Sequence, residues 1–286
     1  GNADLWDGDT AIEDSGYLTD LLADRTIQTL EQRKGDAKPF MISLHFTAPH
    51  WPWEGNNAAG RAESARLAQS KAPQAALHYD GGTLAAYAAI MKSLDDNVGR
   101  ILAKLAELGL DQNTIVIFTS DNGGERFSDT WPFTGKKTEL LEGGIRVPTI
   151  VRWPGHVKPG TTSAVPIMSM DWLPTFAAIA DGKIPAAAAP DGVDISPLLA
   201  GSALADRTLF WRYKNRDQRA VRRGDFKYLS IGGNEFLFDV VNDPLERGNL
   251  KARRPALFEE MKAAWVEWNR AMLNDPNAPS AAVPLR

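Results

Sequence analysis

The sequence predicts an α/β fold, with a mostly parallel sheet flanked by helices and then a small antiparallel sheet covered by one helix. Two observations carry this prediction. Up to about residue 204, short runs of strand-forming residues alternate with a long amphipathic helix, which is typical of parallel sheets. After Gly201 the sequence changes to short alternating segments separated by Gly-Asp and Gly-Gly-Asn turns, which is typical of an antiparallel meander.

The predicted parallel part contains three strands and two helices. Its strands are the apolar runs PFMISLHFT, TIVIFTS and VPTIVRW. Apolar residues recur in steps of three and four between Leu84 and Leu108, which predicts an amphipathic helix that Gly109 ends. Asp171 has the position of an N-cap for a second helix.

The C-terminal part is predicted to be a separate small α+β unit. Its strands are the segments TLFWRY, QRAVRRG, FKYLSI and FLFDV, and the tail from Pro255 has apolar residues at helical spacing. One helix should therefore cover this small sheet. The predicted organisation is an α/β domain over residues 1–204 and an α+β subdomain over residues 205–286.

Composition narrows the functional classes. The chain has 286 residues, of which 43% are hydrophobic and 24% charged, as in ordinary globular proteins. The net charge of -4 gives no general attraction to nucleic acid, so no nucleic-acid partner is predicted. No apolar run is long enough for a membrane span. The absence of Cys excludes disulfides, thiolate metal sites and a cysteine nucleophile, and it leaves the cellular compartment open.

The segment Ser120-Asp121-Asn122-Gly123-Gly124 is the strongest local signal for chemistry. It follows a predicted strand, at the edge where parallel α/β sheets bind ligands. The Asp121 carboxylate and the Asn122 amide oxygen suit a hard cation such as calcium or magnesium, and the glycines permit a tight turn or close approach to a ligand. A turn that simply ends the strand explains the same residues equally well.

Lysine and histidine supply the other candidate groups. In the segment GKKTELLEGGIRVP, a lysine ammonium is suited to binding an anionic ester oxygen, although a solvated lysine is the commoner case. His50 lies in a loop held by prolines and aromatics, where its imidazole can assist a leaving group. His45 is predicted to be packed within the preceding strand. The arginines between Arg212 and Arg223 are predicted to line a solvated strand face, with substrate contact as the second reading.

Taken together and in order, several segments resemble the sulfatase family of the alkaline-phosphatase-like superfamily. They are KPFMISLHFTAPHWPWEG, YAAIMKSLDDNVGRILAKLAELGLDQNTIVIFTSDNGG, GKKTELLEGGIRVPTIVRWPG, DWLPTFAAIA with DGVDISPLL, and LFDVVNDPLERGNL. The resemblance implies that residues 1–204 are the C-terminal part of the catalytic α/β domain of a sulfatase. It also implies that Asp121 and Asn122 are metal ligands, for Ca²⁺ or alternatively Mg²⁺, and that Lys137 and His50 are catalytic residues that contact the sulfate ester.

Two features of the family pattern are missing. The Cys or Ser motif that becomes formylglycine does not occur, nor does the early strand that ends in an Asp pair and completes the metal site. We therefore expect a C-terminal piece of a longer sulfuric ester hydrolase that is inactive alone, with the N-terminal portion as its partner and a small-molecule or carbohydrate sulfate ester as substrate. A phosphonate or phosphate ester hydrolase and a non-catalytic carbohydrate-binding remnant are the alternatives.

Overall fold

A computed structural model describes residues 5–68 and 82–272, which divide between Thr114 and Ile115 into two compact units. In chain order the first unit contains β1 (Leu5–Asp7), β2 (Thr10–Ile12), α1 (Leu18–Arg33), α2 (Ala58–Ala68) and α3 (Leu84–Glu107). Strands β1 and β2 pair as an antiparallel hairpin. None of the described helices combines the length and the apolarity needed to cross a bilayer.

Helices α1 and α3 form the core of the first unit. Helix α3 confirms the predicted amphipathic helix, whereas α1 has no counterpart among the sequence predictions. Leu30 of α1 is buried, as are Ile90 and Leu94 of α3. The buried Asn97 of α3 donates a hydrogen bond to Asp20 Oδ1 of α1 at 2.7 Å, which adds a polar contact between the two helices.

The predicted buried strand PFMISLHFT is absent. Residues 39–46 contain no strand, Met41 is 73% exposed, and the exposed His45 places Nε2 2.8 Å from Ser43 Oγ. The prediction of a packed His45 is therefore wrong. A strand needs a neighbour that accepts and donates its backbone hydrogen bonds, and no strand among the described residues pairs with this run.

The second unit contains the remaining strands and four helices of the described chain. In order they are β3 (Val116–Thr119), α4 (Glu142–Ile145), β4 (Thr149–Arg152), α5 (Trp172–Ile179), α6 (Ser196–Leu199), β5 (Thr208–Tyr213), β6 (Gln218–Arg223), β7 (Phe226–Ile231), β8 (Asn234–Asp239) and α7 (Pro255–Arg270).

The mostly parallel sheet is not found among the described residues, where every strand pair is antiparallel. Strand β3 pairs with β4, with Val116 opposite Arg152 and Thr119 opposite Thr149. A parallel pair needs a crossover that returns the chain to the starting end of the first strand. The connection between Thr119 and Thr149 contains only the one-turn helix α4, so β4 starts where β3 finishes and runs back beside it.

Strands β5 to β8 form the predicted antiparallel meander, hereafter the C-terminal sheet. Helix α7 covers one face, as predicted, with a core of Val221, Tyr228, Leu237, Phe258, Met261 and Trp265. The opposite face packs against the segment that leads into α4, with a core of Leu140, Ala220, Leu229, Phe238 and Val240. The sheet is therefore covered on both faces. The domain boundary near residue 204 stays a prediction.

The arginine-rich strand face is not simply solvated, and this corrects the prediction. Arg222 has only 11% of its side chain exposed and lies 3.4 Å from Glu142 Oε2. On the helix-covered face, Arg219 lies over the Trp265 ring at 4.8 Å, and Arg223 forms an ion pair with Glu260. Side chains alternate between the two faces of β6, so Arg222 lies on the face that packs against the segment around α4. Arg219 and Arg223 lie on the face that α7 covers.

A buried ion triad joins the C-terminal sheet to α4. The Lys227 ammonium, on β7, lies 3.0 Å from Glu142 Oε1 and 3.0 Å from Glu246 Oε1, and all three side chains are buried. Glu246 Oε2 accepts a hydrogen bond from the Glu142 amide at 2.7 Å. Burial raises the pKa of Glu246, and the charge of Lys227 opposes that rise. The triad connects residues from α4, β7 and the segment after β8.

A second ion pair, between the buried Asp171 and the partly buried Arg207, holds the segment around α5. Asp171 occupies the predicted N-cap position, but its side chain does not cap the helix. Its carboxylate instead accepts two hydrogen bonds from Arg207, at 2.6 and 2.5 Å, and others from the Met168 and Val193 amides. Burial disfavours the charged form of Asp171, but these donors outweigh burial, so the pKa of Asp171 lies below its usual value.

Replacing Lys227 should destabilise the chain strongly. Lys227→Met leaves two buried carboxylates without their shared cation, so the free energy of unfolding should fall by about 3 kcal/mol. Lys262→Met is the matched control, because Lys262 is 39% exposed and pairs with Glu235, and its loss should cost less than about 1 kcal/mol. Urea denaturation measures both. Equal losses in the two variants would contradict the role of the triad.

Replacing Asp171 should produce a pH-dependent loss of stability. Because the pKa of Asp171 is lowered in the folded chain, its stabilising contribution is fully present above the ordinary carboxyl pKa and is lost as pH falls through the lowered value. Asp171→Asn should therefore cost about 3 kcal/mol at neutral pH and less in acid. Asp194→Asn is the control, since the bonds that Asp194 accepts within the described part of the chain come from its neighbour Ser196. Thermal unfolding of both variants across pH measures this loss of stability. A loss in Asp171→Asn that does not change with pH would contradict the prediction.

Candidate active site

Asp121 and Asn122 lie directly after β3, as the sequence predicts. Strand β3 ends at Thr119, and Ser120 Oγ donates a hydrogen bond to the Asn122 carbonyl at 2.9 Å. The Asp121 carboxylate is exposed, and Ser120 Oγ approaches its Oδ1 only at 3.5 Å. The turn is therefore held through the Asn122 backbone, and the Asp121 oxygens keep most of their capacity for a ligand.

Glycines join the loop after β3 to α4 through close backbone contacts. The Gly123 amide donates to the Gly144 carbonyl at 2.9 Å, and the Gly143 amide donates to the Thr134 carbonyl at 2.7 Å. A Cβ on Gly123 would lie 1.9 Å from the Gly143 oxygen, and a Cβ on Gly144 would lie 2.0 Å from the Glu139 oxygen. These glycines are required for backbone-to-backbone packing, a role that the sequence prediction of a tight turn or ligand approach had not included.

Lys137 is attached to the same loop. Its backbone amide donates to the Gly124 carbonyl at 2.8 Å, which ties the lysine to the segment that carries Asp121 and Asn122. The Lys137 side chain is 26% exposed, and its ammonium lies 3.9 Å from Glu125 Oε2, at the outer limit of an ion pair. The structure thus joins three of the predicted site residues through one set of backbone hydrogen bonds.

His50 belongs to the first unit. Its amide donates to the Thr47 carbonyl at 2.8 Å, and its Nδ1 lies 2.6 Å from the Trp51 carbonyl oxygen. A carbonyl can only accept, so Nδ1 carries the proton in this contact, in which Nε2 takes no part. The imidazole is exposed, in keeping with contact to a ligand.

The donors after β3 fit part of a calcium site. Asp121 and Asn122 offer one carboxylate and one amide oxygen, which are hard ligands of the type that calcium prefers. Calcium takes six to eight oxygen ligands. The described residues contain no group of three or more His, Cys, Asp or Glu side chains that could hold a metal ion. Two donors are compatible with the ion but do not enclose it.

Sequence reasoning missed the residues that support this site from the C-terminal sheet. Gln218, on β6, is hydrogen-bonded to the backbone on both sides of Glu139, and Thr134 Oγ1 donates to the Leu245 carbonyl at 2.6 Å. The burial of Lys227 could have been predicted, because strand alternation places it on the same face as Leu229. A charged residue on that face needs a buried partner. Gln218 carried no comparable signal.

Two models of protein families match this chain. A model described as Sulfatase matches residues 2–182, which is more than half of the chain. A second model, described as N-sulphoglucosamine sulphohydrolase, C-terminal, matches residues 133–265. The second match contains Lys137, α4, the whole C-terminal sheet and most of α7.

Curated relatives are similar over most of this chain but are much longer. Steryl-sulfatase of Mus musculus is 36% identical over 220 residues, which are 73% of this chain and 32% of the relative. Arylsulfatase A of Homo sapiens is 34% identical over 183 residues, which are 60% of this chain and 36% of the relative. The chain thus spans about a third of the length of these relatives.

Solved structures share the fold. Ps i-CgsB in complex with k-i-k-neocarrahexaose matches with a TM-score of 0.78 and 24% identity, over 91% of this chain and 56% of that one. BT4656 in complex with its substrate D-glucosamine-2-N,6-O-disulfate matches with a TM-score of 0.69 and 22% identity, over 91% and 71%. Because the Sulfatase model matches more than half of the chain, the chain belongs to the sulfatase family.

Proposed function

We propose that this chain is the C-terminal portion of a longer sulfuric ester hydrolase, in which Asp121, Asn122, Lys137 and His50 act on a small-molecule or carbohydrate sulfate ester. The observation that carries the proposal is the backbone connection between the loop after β3 and Lys137, within a member of the sulfatase family. It holds the backbone of Lys137 against the loop that carries Asp121 and Asn122, which supports a shared role for the three residues. The formylglycine nucleophile, the other metal ligands and the strands that complete a mostly parallel sheet belong to the N-terminal portion.

Lys137 has the properties that binding of an anionic ester requires. Its ammonium has only a distant contact with Glu125, at 3.9 Å, so little electrostatic stabilisation is lost when it turns to a sulfate oxygen. Its backbone is held by Gly124, so the lysine enters the reaction with its position already defined. A fixed positive charge stabilises negative charge that develops on the sulfate and on the leaving oxygen.

His50 is proposed to assist departure of the alcohol. The Trp51 carbonyl holds the proton on Nδ1, which defines the ring orientation and leaves Nε2 to exchange a proton with the leaving oxygen. A protonated imidazole can donate from Nε2 while it keeps the Nδ1 contact. Asp121 and Asn122 would hold calcium, which when bound neutralises charge on the sulfate oxygens.

The names of the relatives support a sulfate ester as the substrate class. The curated relatives are named for steryl, aryl and sugar sulfates, and BT4656 was solved with a sulfated glucosamine. These names support a sulfate ester and leave both small molecules and carbohydrates as substrates.

Activity should require the longer enzyme and Lys137. The longer enzyme should release sulfate from an aryl sulfate, whereas the 286-residue chain should release no appreciable sulfate. Lys137→Ala in the longer enzyme removes charge stabilisation of the transition state and should lower kcat by about 10²-fold to 10³-fold. Lys136→Ala is the matched control, because Lys136 is the exposed neighbour, and it should leave kcat nearly unchanged.

Three outcomes would contradict these proposals. Sulfate release by the 286-residue chain alone would overturn its predicted inactivity. Faster hydrolysis of a phosphate monoester than of the matching sulfate would favour a phosphate ester hydrolase. A longer enzyme that binds sulfated carbohydrate without hydrolysing any ester would favour a non-catalytic protein.

Calcium binding should depend on Asp121. Asp121→Asn in the longer enzyme removes the charged ligand, so calcium affinity measured by calorimetric titration should fall at least about tenfold. Asp129→Asn is the matched control: it removes the same charge from the same loop, and the remaining oxygen can still accept from the Trp131 amide. Equal affinity in the Asp121 and Asp129 variants would remove Asp121 from the metal site.

A further inference from the structure

A single buried amide on the C-terminal sheet holds the backbone beside Lys137. Gln218 is 1% exposed, and its Oε1 accepts a hydrogen bond from the Leu140 amide at 2.8 Å. Its Nε2 donates to the Thr138 carbonyl at 2.8 Å and to the Asn215 carbonyl at 3.0 Å. Both ends of the side-chain amide are therefore used, and two of its three bonds go to the segment after Lys137.

The segment that Gln218 holds has an unfavourable backbone conformation. Thr138 has a φ of 76°, in the left-handed region that a β-branched residue rarely occupies. Such a conformation persists only where surrounding contacts enforce it. The Glu139 amide donates to the Lys136 carbonyl at 3.0 Å across Thr138, and Gln218 holds the Thr138 carbonyl and the Leu140 amide directly after it. The Gln218 bonds therefore fix the C-terminal side of this turn.

Lys137 is thus held from two sides. Its own amide is bonded to the Gly124 carbonyl, on the loop that carries Asp121, and the residue after it is bonded to Gln218. The direction of the Lys137 side chain follows from the backbone at these positions. A change at Gln218 should therefore reach the ammonium without any direct contact between the two side chains.

We propose that Gln218 is a positioning residue for Lys137, which acts by holding the left-handed turn at Thr138. This inference rests on the proposed function for the role of Lys137, but the structural part of it can be measured without any activity. The competing explanation is that Gln218 only fills the core between the C-terminal sheet and α4. The two explanations differ in what happens to Lys137 itself.

The first test uses the 286-residue chain. Gln218→Met keeps the side-chain length but removes all three hydrogen bonds, so hydrogen exchange at the Leu140 amide should accelerate about tenfold. Amine labelling, read by mass spectrometry, should rise several-fold at Lys137, while the exposed Lys136 provides an unchanged internal reference.

Asn249→Leu is the matched control for this test. Asn249 also uses its side-chain amide to hold backbone of the same sheet, at the Leu237 amide and the Glu235 carbonyl, but it does not contact the segment after Lys137. Asn249→Leu should change neither hydrogen exchange at the Leu140 amide nor amine labelling of Lys137. Unchanged Leu140 exchange and an unchanged ratio of Lys137 to Lys136 labelling in Gln218→Met would overturn the proposal. Loss of protection throughout β6 and β7 would mark Gln218 as a general core residue and would overturn it equally.

A second variant tests the turn directly. Asn adopts the left-handed conformation more readily than Thr, so Thr138→Asn should favour the turn without help from Gln218. Added to Gln218→Met, it should lower Lys137 labelling back toward the wild-type value. Failure to lower it would show that Gln218 does not act through the Thr138 conformation.

The last test is a double-mutant cycle in the longer enzyme. Gln218→Met should lower kcat/KM for an aryl sulfate about tenfold when Lys137 is present and should have almost no further effect in a Lys137→Ala background. The same loss in both backgrounds would overturn a role through Lys137. If the longer enzyme hydrolyses no sulfate ester, the proposed function fails, while the exchange and labelling results still decide whether Gln218 positions Lys137.

Discussion

The buried triad of Lys227, Glu142 and Glu246 is the interaction on which the second unit depends most. An ammonium and two carboxylates lose their hydration when they are buried, and the loss is recovered only when all of them meet with good geometry. They come from β7, from the first residue of α4 and from the segment after β8. Arg222 lies opposite Lys227 across β6 and β7, and Glu142 also relieves the repulsion between these like charges. The sheet, α4 and the following segment must therefore form together.

The proposed site is built on this triad. Glu142 begins α4, and the glycines that follow it pack backbone against backbone on the loop that carries Asp121 and Asn122. Gln218, on the same face of the C-terminal sheet, holds the segment between Lys137 and Glu142. The small sheet is thus a support for residues that lie about 80 positions earlier in the chain, as the separations of 78 and 85 residues in these contacts show.

Much of the local structure could be predicted, because it depends on residues close in the chain. Helix α3, the antiparallel meander and α7 follow from apolar periodicity and turn residues, and the position of Asp121 after a strand follows from the same pattern. Three other expectations depend on distant partners and were not met among the described residues. The run that contains His45 has no paired strand among the described residues, and β3 and β4 pair antiparallel. Arg222 is largely covered and lies against a carboxylate.

By itself the sequence determined the family of this chain, the class of its elements and the residue types of the proposed site. The order and spacing of its motifs carried that information, and neither depends on knowing the fold. The tertiary structure alone decided which charged and polar side chains are buried. The residues next to Lys227 and Gln218 in the sequence do not indicate their partners. The energy of a buried charge or amide depends on groups that approach it only when the chain folds. For that reason only the tertiary structure shows that Gln218 is hydrogen-bonded to the backbone that follows Lys137.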